Sequence, residues 1–284
     1  MKEEMDERPE GKQSKNERIE SFLREHYDFR FNTVKSRTEF RYSNKDEPFY
    51  PLGKFDINSM RRLLDSSQGI STSAENIRAI LESDFCPRIN PVQEYFQKLS
   101  KWNEGEDSEI IHLASCVTVR NPEKWQTYLT KWLIAVVANA MDDLFCRNHT
   151  CLVLTGEQGK FKTTFLDLLC PVELKAYLFT GTIDPQNKDT QTLIAEYLFI
   201  NIDDQLKALN KRDENELKNL ITTPRVKYRR PYDTYIEEYP HLASFMASVN
   251  GNDFLTDPTG SRRFLPFEVE ALTQIGRASC RERV

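Results

Sequence analysis

The sequence predicts an α/β fold in which a parallel β-sheet is covered by helices on both faces. Three short apolar runs carry this prediction, because strands buried on both faces of a parallel sheet are apolar along their whole length. The runs cover residues 150–155, 197–202 and 243–249. Each run is followed by glycine, acidic or amide residues, and helical patterns alternate with the runs. A small α+β module is predicted to precede this domain.

The composition is that of an ordinary soluble protein, with 39% hydrophobic and 29% charged residues and a formal net charge of −5 over 284 residues. The longest apolar run, residues 132–138, is far shorter than the roughly 20 residues of a membrane-spanning helix. Residues 1–17 are charged and lack the apolar core of a secretory signal. We therefore expect a cytoplasmic protein with no membrane partner.

Changes in composition and hydrophobic pattern along the chain predict its domain boundaries. Residues 275–284 break from the preceding pattern and resemble a translated sequencing adaptor, so we treat them as a non-native scar that follows a truncated domain. The predicted parts are a disordered tail (1–17), an α+β module (18–102), a helical segment (103–149), the truncated α/β domain (150–274) and the scar (275–284).

Periodicity predicts the elements before the first apolar run. In order, they are a helix from Arg18, a strand pair (27–32 and 39–42), short helices (58–64 and 73–81), a helix opening at Asn90, an acidic turn (103–107), and helices over 110–117 and 123–143. The last helix has an apolar face from Trp125 to Met141, which is typical of packing rather than of ligand binding.

A glycine-rich loop, GEQGKFKTT over residues 156–164, lies between the first apolar run and an amphipathic helix. In such a strand–loop–helix unit, backbone N–H groups and the positive end of the helix dipole face a bound phosphate. The pattern therefore predicts a P-loop that binds ATP with Mg²⁺, Lys162 reaching the β- and γ-phosphates and the Thr163 hydroxyl holding the metal. The predicted nucleotide contacts are Gly156, Gly159, Lys160, Lys162, Thr163 and Thr164.

Phe161 departs from the usual pattern, which has glycine immediately before the lysine. A bulky residue is costly there if the backbone needs a positive φ. The alternative interpretation is therefore a loop without a nucleotide function, or a P-loop that has lost its fit.

Polar residues that end the second and third apolar runs predict the hydrolytic groups. Asp203 is expected to coordinate Mg²⁺ through water, and Asp204 to orient the attacking water. Asn250 is expected to sense the γ-phosphate. The alternative for the acidic pair is that it caps a helix over residues 205–210.

Arg262 and Arg263 follow a Gly/Pro-containing loop just beyond the third run. Fixed guanidinium groups suit the neutralisation of charge in a phosphoryl-transfer transition state, often across a subunit interface. The alternative is a solvated surface pair.

A basic segment lies between the second and third runs, with tyrosines at positions 228 and 232. Its cations could follow a DNA backbone while the rings stack on bases. Equally, charges on the edge of a β-hairpin deter strand pairing. The four basic residues are Arg225, Lys227, Arg229 and Arg230.

Taken in order, these motifs resemble the virulence-associated protein E family of P-loop ATPases, which is related to superfamily 3 helicases and phage primase-helicases. The resemblance covers about residues 18–269 and is strongest in four segments: 156–164, 199–204, 248–250 and 254–264. It implies a Mg²⁺-dependent, helicase-like ATPase and ring-forming homo-oligomer that acts on single-stranded DNA in replication or transfer of a prophage or other mobile element. A primase or another replication protein is an implied partner.

Two other functions stay open. A nucleotide-gated protein that holds DNA or a partner without productive turnover is favoured by Phe161. A small-molecule kinase would need a basic lid and an acceptor pocket, and neither is evident in the sequence.

Overall fold

The computed structural model describes residues 13–101, 109–187, 189–209, 211–230, 234–251 and 261–273. The chain forms two compact units, Met1–Glu94 and Tyr95–Val284, which we describe separately. Residues 1–12, the acidic turn and the adaptor-like segment lie outside the described residues. Within the described part of the chain, no helix combines the length and apolar character needed to cross a bilayer.

The first unit packs helices against a small sheet of order β3-β2-β1-β4. β1 and β2 are antiparallel, as their alternating sequences predict, and Phe29 pairs with Phe40. Both rings join Ile19, Leu64 and Ile77 in the core. The elements are α1 (Lys15–His26), β1 (Tyr27–Asn32), β2 (Arg37–Tyr42), β3 (Tyr50–Pro51), α2 (Lys54–Gln68), α3 (Ala74–Leu81), β4 (Arg88–Ile89) and α4 (Pro91–Lys98), the last of which continues into the second unit.

Helix α1 begins three residues before the predicted start at Arg18. Ser14 and Glu17 form a capping box, in which the Ser14 hydroxyl accepts from the Glu17 N–H at 3.2 Å and the Ser14 N–H donates to the Glu17 carboxylate at 2.6 Å. The Ser-x-x-Glu spacing is a recognised signal for a helix start. The helix therefore includes the end of the segment predicted to be a disordered tail.

The second unit contains a six-stranded sheet of order β5-β12-β6-β11-β8-β7. All of its pairings are parallel except that of β5 with β12. The elements are α5 (Glu109–Ser115), β5 (Val117–Val119), α6 (Pro122–Ala140), β6 (Cys151–Gly156), α7 (Lys162–Leu168), β7 (Leu178–Gly181), α8 (Asp189–Glu196), β8 (Phe199–Asp203), α9 (Lys211–Thr222), β9 (Arg225–Tyr228), β10 (Glu237–Pro240), β11 (Ser244–Asn250) and β12 (Phe264–Leu272).

Helices cover both faces of this sheet, which confirms the predicted fold class. On one face, Trp125 and Trp132 of α6 lie 5.0 Å from Phe267 and 6.0 Å from Phe199, ring centre to ring centre. On the other face, side chains of α8 and α9 pack into the core with alternate residues of β8 and β11, among them Ile194, Leu217, Ile200 and Phe245.

Two details of the predicted helices before β6 are wrong. Val117 begins strand β5 instead of ending a helix, because residues 117–119 pair with β12, which is distant in sequence. Helix α6 ends at Ala140, before the predicted end at 143, and Met141 is exposed. The buried face ends instead at Asn139 and Ala140, and the Asn139 amide donates to the carbonyls of residues 241–243.

The sheet order positions the site. β11 lies between β6 and β8, so the carboxyl ends of the three predicted apolar runs meet at one edge of the sheet. In parallel α/β sheets ligands bind outside this edge.

Candidate functional site

The glycine-rich loop joins β6 to α7 at the carboxyl edge of the sheet. Gly156 has φ +132°, and a Cβ atom there would lie 2.9 Å from the carbonyl oxygen of Val269 on β12. Only glycine allows this close approach of the two backbones. Gly159 has φ +84°, so the other predicted glycine also adopts a conformation that L side chains rarely take.

Phe161 lies in the left-handed region, with φ +53° and ψ +26°, directly before α7. The backbone therefore has the positive φ that glycine would tolerate, and a non-glycine residue pays about 1–2 kcal/mol for it. The phenyl ring is 72% exposed, so burial does not offset this cost. The loop nevertheless leads directly into the helix, because the Phe161 carbonyl accepts from the Phe165 N–H at 3.0 Å.

Lys162 is buried, and its ammonium group lies inside the loop. It donates to the carbonyl oxygens of Gly156 at 3.1 Å and Glu157 at 2.7 Å, and to the Asn250 side-chain oxygen at 3.1 Å. Burial lowers the pKa of Lys162, and the nearby carboxylates of Asp204 and Asp203 oppose that shift. The ammonium group therefore lies at the N-terminal end of α7, between the loop carbonyls and the end of β11.

The Thr163 hydroxyl and the Asp203 carboxylate meet across the space between α7 and β8. Thr163 Oγ1 donates to Asp203 Oδ1 at 2.9 Å. Ser248 of β11 completes a triangle, because its Oγ lies 2.8 Å from both oxygens. The sequence indicated no role for Ser248.

Asp204 is held by Asn250. Asp204 Oδ1 accepts from the Asn250 backbone N–H at 3.0 Å, and Oδ2 accepts from the Asn250 side-chain amide at 2.9 Å. The Asp204 backbone has φ +47° and its N–H donates to the Ser248 carbonyl at 3.0 Å. The carboxylate thus points toward β11, and residues Leu206–Ala208 form a single 3₁₀ turn without a side-chain cap. Asn250 links Lys162 to Asp204.

Asn201 was also missed by the sequence analysis. It is buried in β8, and its amide donates to the Thr163 carbonyl at 3.4 Å and to Asp167 Oδ1 at 2.8 Å. These bonds attach α7 to the sheet below the loop. An amide inside an otherwise apolar run was the available signal, because buried polar side chains need partners.

The two remaining predicted loop contacts point elsewhere. The Lys160 ammonium donates to the Val269 carbonyl at 3.1 Å and lies 3.5 Å from the Glu157 carboxylate. Thr164 is exposed in the first turn of α7. Lys160 is therefore engaged with β12 in this structure, whereas Lys162 lies in the loop itself.

The oxygen atoms of Thr163 and Asp203 suit Mg²⁺. This ion prefers hard oxygen ligands, keeps several waters, and is often bound by one or two carboxylates together with substrate phosphates. Among the described residues, no group of three or more His, Cys, Asp or Glu side chains could hold a metal alone. The two oxygen donors of Thr163 and Asp203 would therefore need further ligands, such as water or phosphate, to complete the coordination of Mg²⁺.

The structure does not bring Arg262 and Arg263 to this loop. Strand β12 runs parallel to β6, and Phe264 pairs with Cys151, the first residue of β6. The arginines immediately before Phe264 therefore lie at the amino edge of the sheet, opposite the loop that follows Gly156. A strand of six residues spans about 17–20 Å, which separates the two features within one chain.

The basic segment forms a hairpin in which β9 and β10 are antiparallel. Two of its four cations have acidic partners on the opposite strand: Arg225 lies 3.2 Å and Lys227 3.6 Å from the carboxylate of Glu238. Arg230 is only 9% exposed, and its guanidinium lies 4.1 Å from the centre of the Tyr239 ring.

The exposed part of the hairpin differs from the predicted part. Tyr228 is buried against Tyr239, with ring centres 4.6 Å apart, and Tyr232 lies outside the described residues. Arg229 is exposed, and Tyr235 is 74% exposed. Among the described residues of the hairpin, the strongly exposed aromatic side chain is therefore Tyr235, for which the sequence predicted no role.

The second unit matches a known protein family. The profile of the virulence-associated protein E-like domain matches residues 96–284, well over half of the chain. The chain belongs to this family. Among curated proteins, none matches the sequence.

Solved structures of the NrS-1 C-terminal region share the fold of this virulence-associated protein E-like chain. An apo structure of residues 305–718 has a TM-score of 0.56 at 14% identity and covers 95% of this chain and 65% of its own. The A-form apo structure has a TM-score of 0.52 at 15% identity and covers 92% of this chain and 63% of its own. The chain thus spans somewhat less than two thirds of these structures, and at such identities the likeness concerns the fold alone.

Proposed function

We propose that this protein is a Mg²⁺-dependent ATPase that acts on DNA. The observation that carries the proposal is the convergence of five polar side chains at the carboxyl edge of the central sheet. They come from α7, from the end of β8 and the residue after it, and from β11, and they include a buried lysine, a hydroxyl–carboxylate pair and a second carboxylate. These residues are Lys162, Thr163, Asp203, Asp204 and Asn250.

The side chains would divide the work of phosphoryl transfer between them. Lys162 would donate to the β- and γ-phosphate oxygens, while Thr163 and Asp203 would hold Mg²⁺. The bound metal would neutralise charge on the β- and γ-phosphates. Asp204 would orient the attacking water, which requires that one of its oxygens leave Asn250.

Asn250 supports a nucleotide-dependent release of Asp204. Its oxygen accepts from Lys162 and its amide donates to Asp204, so both polar atoms are engaged. A γ-phosphate that attracts Lys162 would also offer an acceptor to the Asn250 amide. If Lys162 and the Asn250 amide both turned to the γ-phosphate, Asp204 Oδ2 would lose its hydrogen bond to Asn250 and could accept from water.

A neighbouring subunit would complete the site. Arg262 and Arg263 lie at the amino edge of their own sheet, about one strand length from their own phosphate loop. An arginine that neutralises transition-state charge must reach the γ-phosphate. The arrangement therefore supports action across an interface, in a ring or another homo-oligomer.

The hairpin would supply the DNA contact, but through fewer cations than its sequence suggested. Arg229, Lys227 and Tyr235 are exposed and suit phosphate contact and base stacking on a single strand. Arg225 and Arg230 are held within the fold. The action on DNA during replication or transfer of a mobile element, and unwinding itself, belong to the proposal.

A nucleotide-gated binding protein without productive turnover is the second candidate. Phe161 favours it, because the strained loop would have to accommodate phosphates beside an exposed ring. Under this alternative, ATP would still bind and Asp204 would stay on Asn250.

ATP turnover with and without single-stranded DNA separates the two functions. We expect Mg²⁺-dependent hydrolysis that DNA stimulates and that Asp204→Asn abolishes while nucleotide binding persists. Nucleotide binding without hydrolysis in the wild-type protein would support the second candidate. The absence of nucleotide binding would overturn both.

A further inference from the structure

Ser248 occupies a position that its sequence context does not reveal. It lies in β11, where it pairs with Asp203 of β8 and with Leu154 of β6. Its side chain is 3% exposed, whereas Asp203 is exposed and Thr163 partly so. The serine hydroxyl therefore lies behind the hydroxyl–carboxylate pair, on the protein side.

Three oxygens at this point share two hydrogens. Ser248 Oγ lies 2.8 Å from Thr163 Oγ1 and 2.8 Å from Asp203 Oδ1, and Thr163 Oγ1 lies 2.9 Å from the same carboxylate oxygen. An ionised carboxylate only accepts, so the two hydroxyls supply every hydrogen. One of the three contacts therefore lacks a hydrogen in any single arrangement.

A divalent cation at Thr163 Oγ1 would select among these arrangements. The cation takes a lone pair of that oxygen, which favours arrangements in which Thr163 donates its hydrogen. Ser248 can accept that hydrogen while it donates its own to Asp203 Oδ1. The second carboxylate oxygen, Oδ2, is then free to face the water shell of the cation.

We propose that Ser248 is a positioning residue for Mg²⁺, acting through Thr163 and Asp203 rather than by direct coordination. The inference rests on the proposed nucleotide-binding function. Hydrogen-bond partners of metal ligands fix their orientation, and their loss typically costs 10–100-fold in metal affinity. Ser248 would thus determine how tightly the nucleotide-bound site holds its metal.

Ser244 provides a matched control on the same strand. It is fully buried, and its hydroxyl accepts from the Asn148 amide at 3.1 Å. It pairs with Phe199, at the other end of β8 from Asp203. Ser244→Ala therefore removes a buried hydroxyl from β11 without touching the phosphate loop.

The test measures binding of a fluorescent non-hydrolysable ATP analogue in EDTA and across a MgCl₂ titration. For Ser248→Ala we expect affinity in EDTA within about twofold of wild type, and a 10–100-fold higher Mg²⁺ concentration for half-maximal effect. Ser248→Thr, which restores a hydroxyl, should recover most of the Mg²⁺ response. Ser244→Ala should respond as wild type does.

The outcomes separate this inference from the proposed function. If wild type binds the analogue with Mg²⁺ and Ser248→Ala has the same Mg²⁺ midpoint, Ser248 has only a structural role and the inference is overturned. If wild type does not bind the analogue, the proposed function itself fails. Should Ser248→Ala not fold, Ser248→Cys keeps the side-chain shape at slightly larger volume but offers only a weak donor and acceptor, and an unchanged midpoint there would equally overturn the inference.

Discussion

The glycine-rich loop and the basic hairpin are two charged regions whose side chains are arranged in opposite ways. Lys162, Asp203 and Asn250 are far apart in sequence, yet they lie in hydrogen-bonded contact through Thr163 and Asp204. The hairpin cations are almost consecutive, yet their side chains separate, some paired with carboxylates and one buried. Closeness in sequence therefore predicts contact between side chains less well than a shared position at the ends of parallel strands does.

The arginine pair offers the largest test of this comparison, because it lies at the edge of the sheet opposite its own loop. We expect Arg262→Ala or Arg263→Ala to lower ATP turnover by about 10³–10⁵-fold while nucleotide binding persists. Arg→Lys should also be harmful, since lysine lacks the planar fork of the guanidinium. Steady-state hydrolysis at saturating ATP measures the effect.

Mixing shows whether the critical arginine acts across an interface. An arginine variant combined with Lys162→Ala should hydrolyse ATP faster than either parent, because each supplies what the other lacks. If the two variants co-assemble and the mixture stays inactive, the arginines act within their own chain or only hold the loop.

His241 connects the hairpin to the sheet and gives the next largest effect. It is buried, with Nδ1 2.6 Å from the Thr223 carbonyl and Nε2 2.8 Å from the Ala243 carbonyl. Burial lowers the pKa of His241 from 6.5 to about 4, although the hydrogen bonds to the Thr223 and Ala243 carbonyls oppose that shift. Between about pH 4 and pH 6.5, His241 therefore binds a proton more often in the unfolded state than in the folded state.

The direction of the resulting pH dependence follows from the linkage between proton binding and folding. Stability contributed by neutral His241 is fully present above about pH 6.5 and is lost as the pH falls toward 4, by up to about 3 kcal/mol. Urea unfolding at pH 7 and pH 4.5 measures the change, and His241→Gln should be less sensitive to this pH change than wild type. A free energy of unfolding that rises on acidification would show that the two carbonyls hold an imidazolium instead.

A substitution of Lys162 tests whether the glycine-rich loop binds nucleotide. ATP with Mg²⁺ at about 100 times its dissociation constant should stabilise the wild-type protein by about 2.7 kcal/mol. Lys162→Ala should lose most of this shift, because the ammonium inside the loop is gone. Lys160→Ala is the matched control, since its ammonium contacts the Val269 carbonyl. Equal thermal shifts in wild type and Lys162→Ala would contradict the assignment.

The four hairpin cations should differ in role, because Lys227 and Arg229 are exposed whereas Arg225 and Arg230 are held within the fold. Lys227→Ala with Arg229→Ala should weaken binding of single-stranded DNA, and each lost phosphate contact should remove about 0.7 from the slope of log affinity against log salt. Arg230→Ala should chiefly lower the melting temperature, because its guanidinium is buried over Tyr239. Binding measured at several salt concentrations checks the first effect and a thermal melt the second. An unchanged slope in the double variant would mean that the hairpin is only a solvated edge.

Phe161 should give the smallest effect. Phe161→Gly removes the left-handed strain but increases the entropy of the unfolded chain, so we expect stabilisation of at most about 1 kcal/mol. Chemical denaturation measures it. Phe161→Ala keeps the strain without the ring, so it should not share the stabilisation. A destabilised glycine variant would indicate that the ring makes a contact the loop needs.

The amino-acid sequence by itself determined three strands of the large sheet and most of the glycine-rich loop. Apolar runs predicted β6, β8 and β11, and the glycine pattern predicted where the chain would turn tightly. These features are local, because burial on both faces and positive φ each restrict residue type at the position concerned. The sequence also identified Phe161 as a departure, although not the conformation that it adopts.

Only the tertiary structure decided which side chains meet. Ser248 joined the site because β11 and β8 are neighbours in the sheet, an order that no run of residues encodes locally. Asn201 joined it because α7 packs against β8. The same order placed Arg262 and Arg263 at the far edge, and the pairing of β9 with β10 set Glu238 beside two of the hairpin cations. Strand order and register depend on contacts between residues distant in sequence, and those contacts determine which charges converge and which are neutralised.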